Sequence, residues 1–362
     1  MWYVLLGLVL GSFLTLIPVW MPAGATALTG EWHGTLRSVA EVRRSDDREA
    51  KGAAFASIVV DDTLLTISGN GALLNRIAAP GKLLSGSGSG KFYAVFERTG
   101  SHVELYGAKG DRFWKIPSAE YPYLSHNGEL ILFINADMSE VRLFDHNGNP
   151  VGVQNIAGRF MTAFSFARGS DHAVLGFLDG SWSVLSKSGE ITVRGTVPAG
   201  TLVKSVALSD DGAFAAVHYG GEKGDHVLIV DTASRGDKRA DLSRAHVARI
   251  AMHVRPDGKL AVLDGGRIVL FSRRGNVKGV IQVPREKAGI ANIAFGDGVY
   301  AAAYPREDGD SQLVVFNEEG EVLLSKTCAG ESYLTAMMDG RFILARGSQG
   351  LYCYRLRVPA PR

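Results

Sequence analysis

From Ala54 onward the chain alternates short apolar runs with clusters of Gly, Asp, Asn and Ser. No long stretch carries the 3.6-residue apolar period of an amphipathic helix, so short strands joined by tight turns are predicted. One set of strands ends in a Gly-bearing turn: TLLTISGNG, HVELYGAKG, EVRLFDHNG, SWSVLSKSG, VLIVDTASRG, RIVLFSRRG and LVVFNEEG. The turn glycines are Gly71, Gly110, Gly148, Gly189, Gly236, Gly275 and Gly320, at intervals of 38 to 47 residues. Each turn leads into another short strand, such as EITVRGTV or EVLLSKT, and so forms a hairpin.

A second, offset set of turns ends at Gly90, Gly128, Gly212, Gly258, Gly298 and Gly340, with a slight departure around Ser170 and Asp171. The strands that follow, among them ELILFIN, AFAAVHY and VYAAAYP, are nearly continuous apolar runs. Such runs suit strands buried on both faces. Four short strands in each ~40 residues predict an all-β fold, a β-propeller of four-stranded antiparallel blades. Counting second-to-third-strand hairpins gives eight blades, with seven as the alternative. The last unit, RFILARGSQGLYCYRL, ends without a fourth strand, and EWHGTLRSV, Glu31–Val39, is predicted to complete it. Joining the ends in this way leaves no unpaired edge between first and last blades.

Residues 2–22 carry no charge, and the first Asp, Glu, Lys, Arg or His is Glu31. The run has about the length of a spanning helix, and Ala25-Thr26-Ala27 offers the small residues of a cleavage site. Residues 1–27 therefore read as an apolar helix, either a cleaved signal or a retained membrane anchor, ahead of one propeller domain at 28–362. Trp2, Tyr3 and Trp20 suit an interfacial belt, whereas Arg37, Arg43 and Arg44 alone inform orientation. Export places the chain outside the cytoplasm, in the periplasm or cell envelope. Two buried free thiols are the expectation for Cys328 and Cys353, and no cysteine follows the apolar run to take a lipid.

Lys plus Arg number 39 against 37 Asp plus Glu, interspersed, which leaves no basic field for nucleic acid.

The stretch from VLIVDTASRG to RIVLFSRRG, with Asp231, His246 and the turn Pro256 to Lys259, resembles the WD40, YVTN and NHL group of propellers. EVRLFDHNGNP, with Asp145 and Gly148, is similar to the NHL pattern. The resemblance covers the repeat shape of residues 52–358. It lacks the Trp-Asp dipeptide, and the His occurs in one unit only. What it implies is architecture, since propellers host binding and catalysis alike.

No catalytic constellation is legible. HxH, HExxH and GxSxG are absent, GSGSG at 86–90 reads as a flexible turn with no following helix, and the nine histidines stand singly in turns and strands. Asp210-Asp211-Gly212 reads as a hairpin turn and Glu307-Asp308-Gly309-Asp310 as a polar loop. No metal and no cofactor is expected, and Trp32, Trp114 and Trp182 read as blade packing.

What remains is surface. In a propeller the second-to-third-strand loops share one face with the connections between blades. Two such loops read as long: His218 to His226, with Tyr219, Glu222 and Lys223, and Tyr304 to Gln312, with Arg306, Glu307 and Asp308. Tyr121 and Tyr123 lie at a blade junction on that face, where tyrosines suit partner contact. The expected function is a non-enzymatic interaction scaffold of the cell envelope, binding a protein partner through this face. In blade count and export it is similar to eight-bladed periplasmic propellers that support outer-membrane protein insertion, which are lipoproteins. The alternative is a ligand-binding, hydrolytic or lyase propeller using its central channel, with Arg168, His253 and Arg255 as the polar candidates.

Overall fold

A computed structural model describes residues 27–35, 54–68, 73–152, 156–157, 159–222, 224–283, 291–332 and 334–357. The apolar segment at 2–22 and its expected helix lie outside the described residues. Within them are eight antiparallel sheets, seven of four strands and one of three. Blade 4 illustrates the unit: inner strand Met161–Phe166, then Ala173–Phe177, Ser181–Leu185 and outer strand Ile191–Thr196. Blade 1 is the three-stranded sheet among the described residues, made of Ala54–Val60, Thr63–Ser68 and Leu73–Ala78.

The core is eight apolar layers, one between each pair of neighbouring blades. Ala163, Val184, Val203 and Val217 join blades 4 and 5, and Ala56, Leu65, Leu344 and Cys353 join blade 1 to blade 8. That last layer closes the ring and fixes the count at eight. Sheets facing neighbours on both sides bury both faces of their second strands, so Ile131–Ile134, Ala173–Phe177 and Leu260–Leu263 are buried throughout. Outer strands keep an exposed parity, as Arg112–Pro117 does.

The closing strand exists, covering Ala27–Thr35 among the described residues and so starting four residues before the expected Glu31. It runs antiparallel to Gly350–Arg357, from Ala27 opposite Arg357 to Thr35 opposite Gly350. The free edge of Gly350–Arg357 sets this register through backbone pairing, which side-chain pattern does not report. Turn glycines mark left-handed backbone, as at Gly148 with φ 83°. In blade 5 the expected Gly236 is displaced, and Arg235 takes that conformation with φ 58°. Both thiols, Cys328 and Cys353, are free and buried.

Candidate functional site

The two hairpins expected to be long loops are extended strands with tight turns. Phe214–Gly221 pairs with Gly224–Asp231 out to Gly221 opposite Gly224, and Val299–Pro305 pairs with Ser311–Asn317 out to Pro305 opposite Ser311. Glu222 is exposed at the first turn, and Lys223 lies outside the described residues. Tyr219 is only 2% exposed and packs against His226, so it belongs to the core rather than to a contact surface. At the second turn Glu307 and Asp308 are exposed. Arg306 is tied down, donating to Gln312 Oε1 at 3.2 Å and Thr327 Oγ1 at 3.0 Å and pairing with Asp308 at 2.6 Å. Tyr121 and Tyr123 are half-buried on the inner strand of blade 3. The Tyr121 hydroxyl donates to the Arg98 carbonyl, and the Tyr123 ring packs on Phe164 at 4.8 Å.

The channel candidates part company. Arg168 leaves blade 4 and donates from Nη2 to the carbonyl of Met338 on blade 8, half a ring away, at 3.2 Å. Burial lowers its guanidinium pKa against the pull of Asp210 and Asp339. His253, on the inner strand of blade 6, stacks on Phe295 at 6.2 Å. Its imidazole is pushed down to about 4, first by burial and then by Arg168 and Arg255, and is neutral at pH 7. Arg255 is drawn away from the channel. Its guanidinium lies 4.1 Å over the Phe295 ring and pairs with Asp257 and with Glu318, on the turn between the third and fourth strands of blade 7.

A serine, histidine and aspartate do meet, inside blade 5. Ser205 Oγ lies 3.3 Å from Nδ1 of His218, and Nε2 of His218 lies 2.8 Å from Asp225 Oδ2. All three are buried, His218 completely. Burial pushes His218 down to about 4, so the ring is neutral, donating from Nε2 and accepting at Nδ1. Ser205 Oγ also accepts the Ile250 N–H at 3.0 Å. A nucleophile must present its oxygen to substrate, and this one is sealed and already engaged. Asp225 further accepts from Lys204 Nζ at 2.8 Å and from the His246 N–H at 2.9 Å. Burial alone would raise its pKa, but these bonds outweigh it and hold the carboxyl low.

His246 extends this network into blade 6, where its Nε2 lies 2.9 Å from Asp264 Oδ1. Asp264 also accepts from the Ser243 N–H and from Arg267. Other junctions use different chemistry at the same place. Arg142 donates from Nε to the Glu120 carboxylate at 3.0 Å on entry to blade 3, and Arg159 donates to Ser181 Oγ on entry to blade 4. On entry to blade 8, Glu331 accepts from Ser348 Oγ and the Gln349 N–H. Four of the connections between blades thus carry a polar side chain that grips the next blade. Sequence reading found His246 alone because the other three positions share a location and no residue type. Trp114 works similarly, donating to the His146 carbonyl of the next blade at 2.9 Å. Among the described residues no three His, Cys, Asp or Glu side chains group as metal ligands.

Exposed large apolar side chains on the loop face include Phe160, Leu178 and Val247. Two clefts lie at blade edges: one of about 980 Å3 between blades 4 and 5, and one of about 620 Å3 beside the other face of blade 4.

Comparison with known proteins agrees with this architecture. Residues 2–282 match a family described as β-propeller protein. No curated protein matches the sequence. Among solved structures, BamB from Moraxella catarrhalis aligns over 91% of this chain and 98% of its own, at 13% identity and a TM-score of 0.58. The C-terminal WD40 domain of Sif2 aligns over 84% and 96%, at 13% identity and 0.58. KlHsv2, with loop 6CD replaced by a Gly-Ser linker, aligns over 76% and 98%, at 15% identity and 0.52. At such identities the likeness is one of fold.

Proposed function

Since the chain belongs to the β-propeller protein family, we propose that it is a non-enzymatic scaffold of the cell envelope that binds a partner protein through its loop face. The observation that carries this reading is a division of labour among side chains. Five of the buried ionisable groups, His218, Asp225, His246, Asp264 and Glu331, are occupied in gripping blades. Apolar surface, by contrast, stands free on the loop face at Phe160, Leu178 and Val247. The resemblance to BamB and to WD40 domains supports a binding disk without naming what it binds. Use of the central channel for a small ligand or for hydrolysis has less support, because Arg168 crosses the channel and Arg255 is withdrawn from it.

Residues 2–22 supply the export or tethering element of this reading. The test is site-specific photocrosslinking of the full chain in membranes, with the photoreactive residue at Glu222 or Glu307 on the loop face, or at Lys109 or Glu319 on the opposite face. Capture of one protein from the loop face only is expected. Equal capture from both faces, or none from either, would refute the reading, as would a turnover activity lost on loop-face substitution.

A further inference from the structure

Blade 4 carries two exposed apolar side chains side by side at its upper corner. Phe160 is 55% exposed and Leu178 49%, and the Leu178 N–H donates to the Phe160 carbonyl at 2.8 Å. Beside them opens the cleft of about 620 Å3, whose apolar walls are Ile156, Phe177 and Ile191. Its charges are unbalanced. Arg159 and Arg194 line it against Asp179, the one carboxylate among the described lining residues. Asp179 is already engaged, accepting from the Ser181 N–H at 2.9 Å and hydroxyl at 2.5 Å and pairing with Arg159 at 3.7 Å. Arg194 is exposed, and no ion pair joins it to a carboxylate among the described residues.

The strand bordering the cleft, Ile191–Thr196, is the edge of its sheet, with alternate backbone N–H and C=O groups directed outward. Near its end Gly195 bares the flank of Trp182, since a Cβ there would stand 2.5 Å from indole Cζ2. The indole, 4% exposed, lines the cleft, and its Nε1 has no hydrogen-bond partner among the described residues. A buried donor left so stays desolvated and unsatisfied until an acceptor reaches it.

We propose that this edge docks an extended segment of a partner protein in which carboxylate and apolar side chains alternate. Pairing with Ile191–Thr196 supplies backbone bonds, as in other strand additions. Residues of one parity then meet Arg194 and Arg159, and those of the other parity meet Trp182 across Gly195. Phe160 and Leu178 receive the apolar residues that continue onto the loop face. Charge complementarity selects a carboxylate-bearing strand over a basic one. The proposal rests on the reading that the loop face meets a protein.

The test pans the full chain against a phage-displayed random dodecapeptide library, then measures synthetic copies of the selected peptides on wild type, F160A, R194E and R194K. Peptides alternating Asp or Glu with Leu, Ile, Val or Phe are expected. Their affinity should fall about tenfold in F160A and in R194E, survive in R194K, and weaken as salt rises. Selection of no peptide, of peptides without carboxylates, or of peptides indifferent to F160A and R194E would overturn the proposal. So would a salt-sensitive dimer in sedimentation that R194E abolishes, because the occupant would then be a second copy. Crosslinks from Glu222 and Glu307 decide the broader reading separately: if they persist while the peptide test fails, only the docking edge is wrong.

Discussion

Nε2 of His246 lies 2.9 Å from Oδ1 of Asp264, tying the connection that enters blade 6 to that blade's own turn. The His246 main chain is held as well, its N–H by Asp225 of blade 5 and its carbonyl by Lys204. One residue therefore fastens two blades, and removing either end of the network should loosen their interface.

His246→Ala leaves Asp264 its bonds from Ser243 and Arg267, so a loss of about 1–3 kcal/mol is expected. Asp225→Ala is more damaging, at about 3–5 kcal/mol, because it strands the Lys204 ammonium, whose side chain is 13% exposed. Urea denaturation followed by fluorescence checks the order. Equal, small shifts for the two variants would show that the network adds little.

Stability should also depend on acid in a defined window. His218 and His253 are held near 4 by burial in the folded chain and return to about 6.5 on unfolding. Between those values the unfolded chain binds more protons, so stability falls as pH drops from about 6.5 to about 4. Below that range these two groups add no further loss. Each accounts for about 3 kcal/mol across the window. Asp225, held low, acts at more acidic pH. Denaturation midpoints at pH 7.5, 5.5 and 4.5 should show a shallower decline in His253→Phe. An identical decline would assign the acid sensitivity elsewhere.

Gly176 on the second strand of blade 4 faces Val203 on the inner strand of blade 5. A Cβ there would lie 2.4 Å from Val203 Cγ1 and 3.1 Å from Val206 Cγ1. Overpacking in Gly176→Ala should cost about 1–3 kcal/mol, and Val203→Ala in the same chain should recover part of it. A thermal melt of the single and double variants measures the coupling; simple addition of the two losses would contradict it.

Because the closing strand starts at Ala27, a chain beginning at Leu28 keeps nearly all of it. Removal through Thr35 strips Gly350–Arg357 of its partner and exposes a strand edge. The first chain should stay monomeric and fold, whereas the second should aggregate or melt markedly lower. Size-exclusion chromatography with light scattering distinguishes them. Unchanged behaviour of the shorter chain would mean that the strand is dispensable.

Much of the fold was legible because its signals are local. Gly148 and Gly258 announce turns that need left-handed backbone, with φ of 83° and 79°. Apolar runs such as Leu260–Leu263 announce strands covered on both sides. The closing strand was legible as existing, but its start was placed four residues late, at Glu31 rather than Ala27, since register follows the free edge it meets. Tyr219 was misread as surface because strand pairing continues through His218 and Tyr219 to Gly221, turning an apparent loop into core.

The sequence by itself determined the repeat and the joining of its ends, written in side-chain period and turn residues within ~40 residues, while the choice of eight blades over seven was settled by the layer between blades 1 and 8. Which side chains meet was decided by the tertiary structure alone. Arg168 reaches Met338, 170 residues away, because ring closure sets blades 4 and 8 across one channel. Phe160 and Leu178 become neighbours because consecutive connections and turns share a face. Such encounters depend on how eight sheets stack and twist, a long-range property that no local pattern encodes.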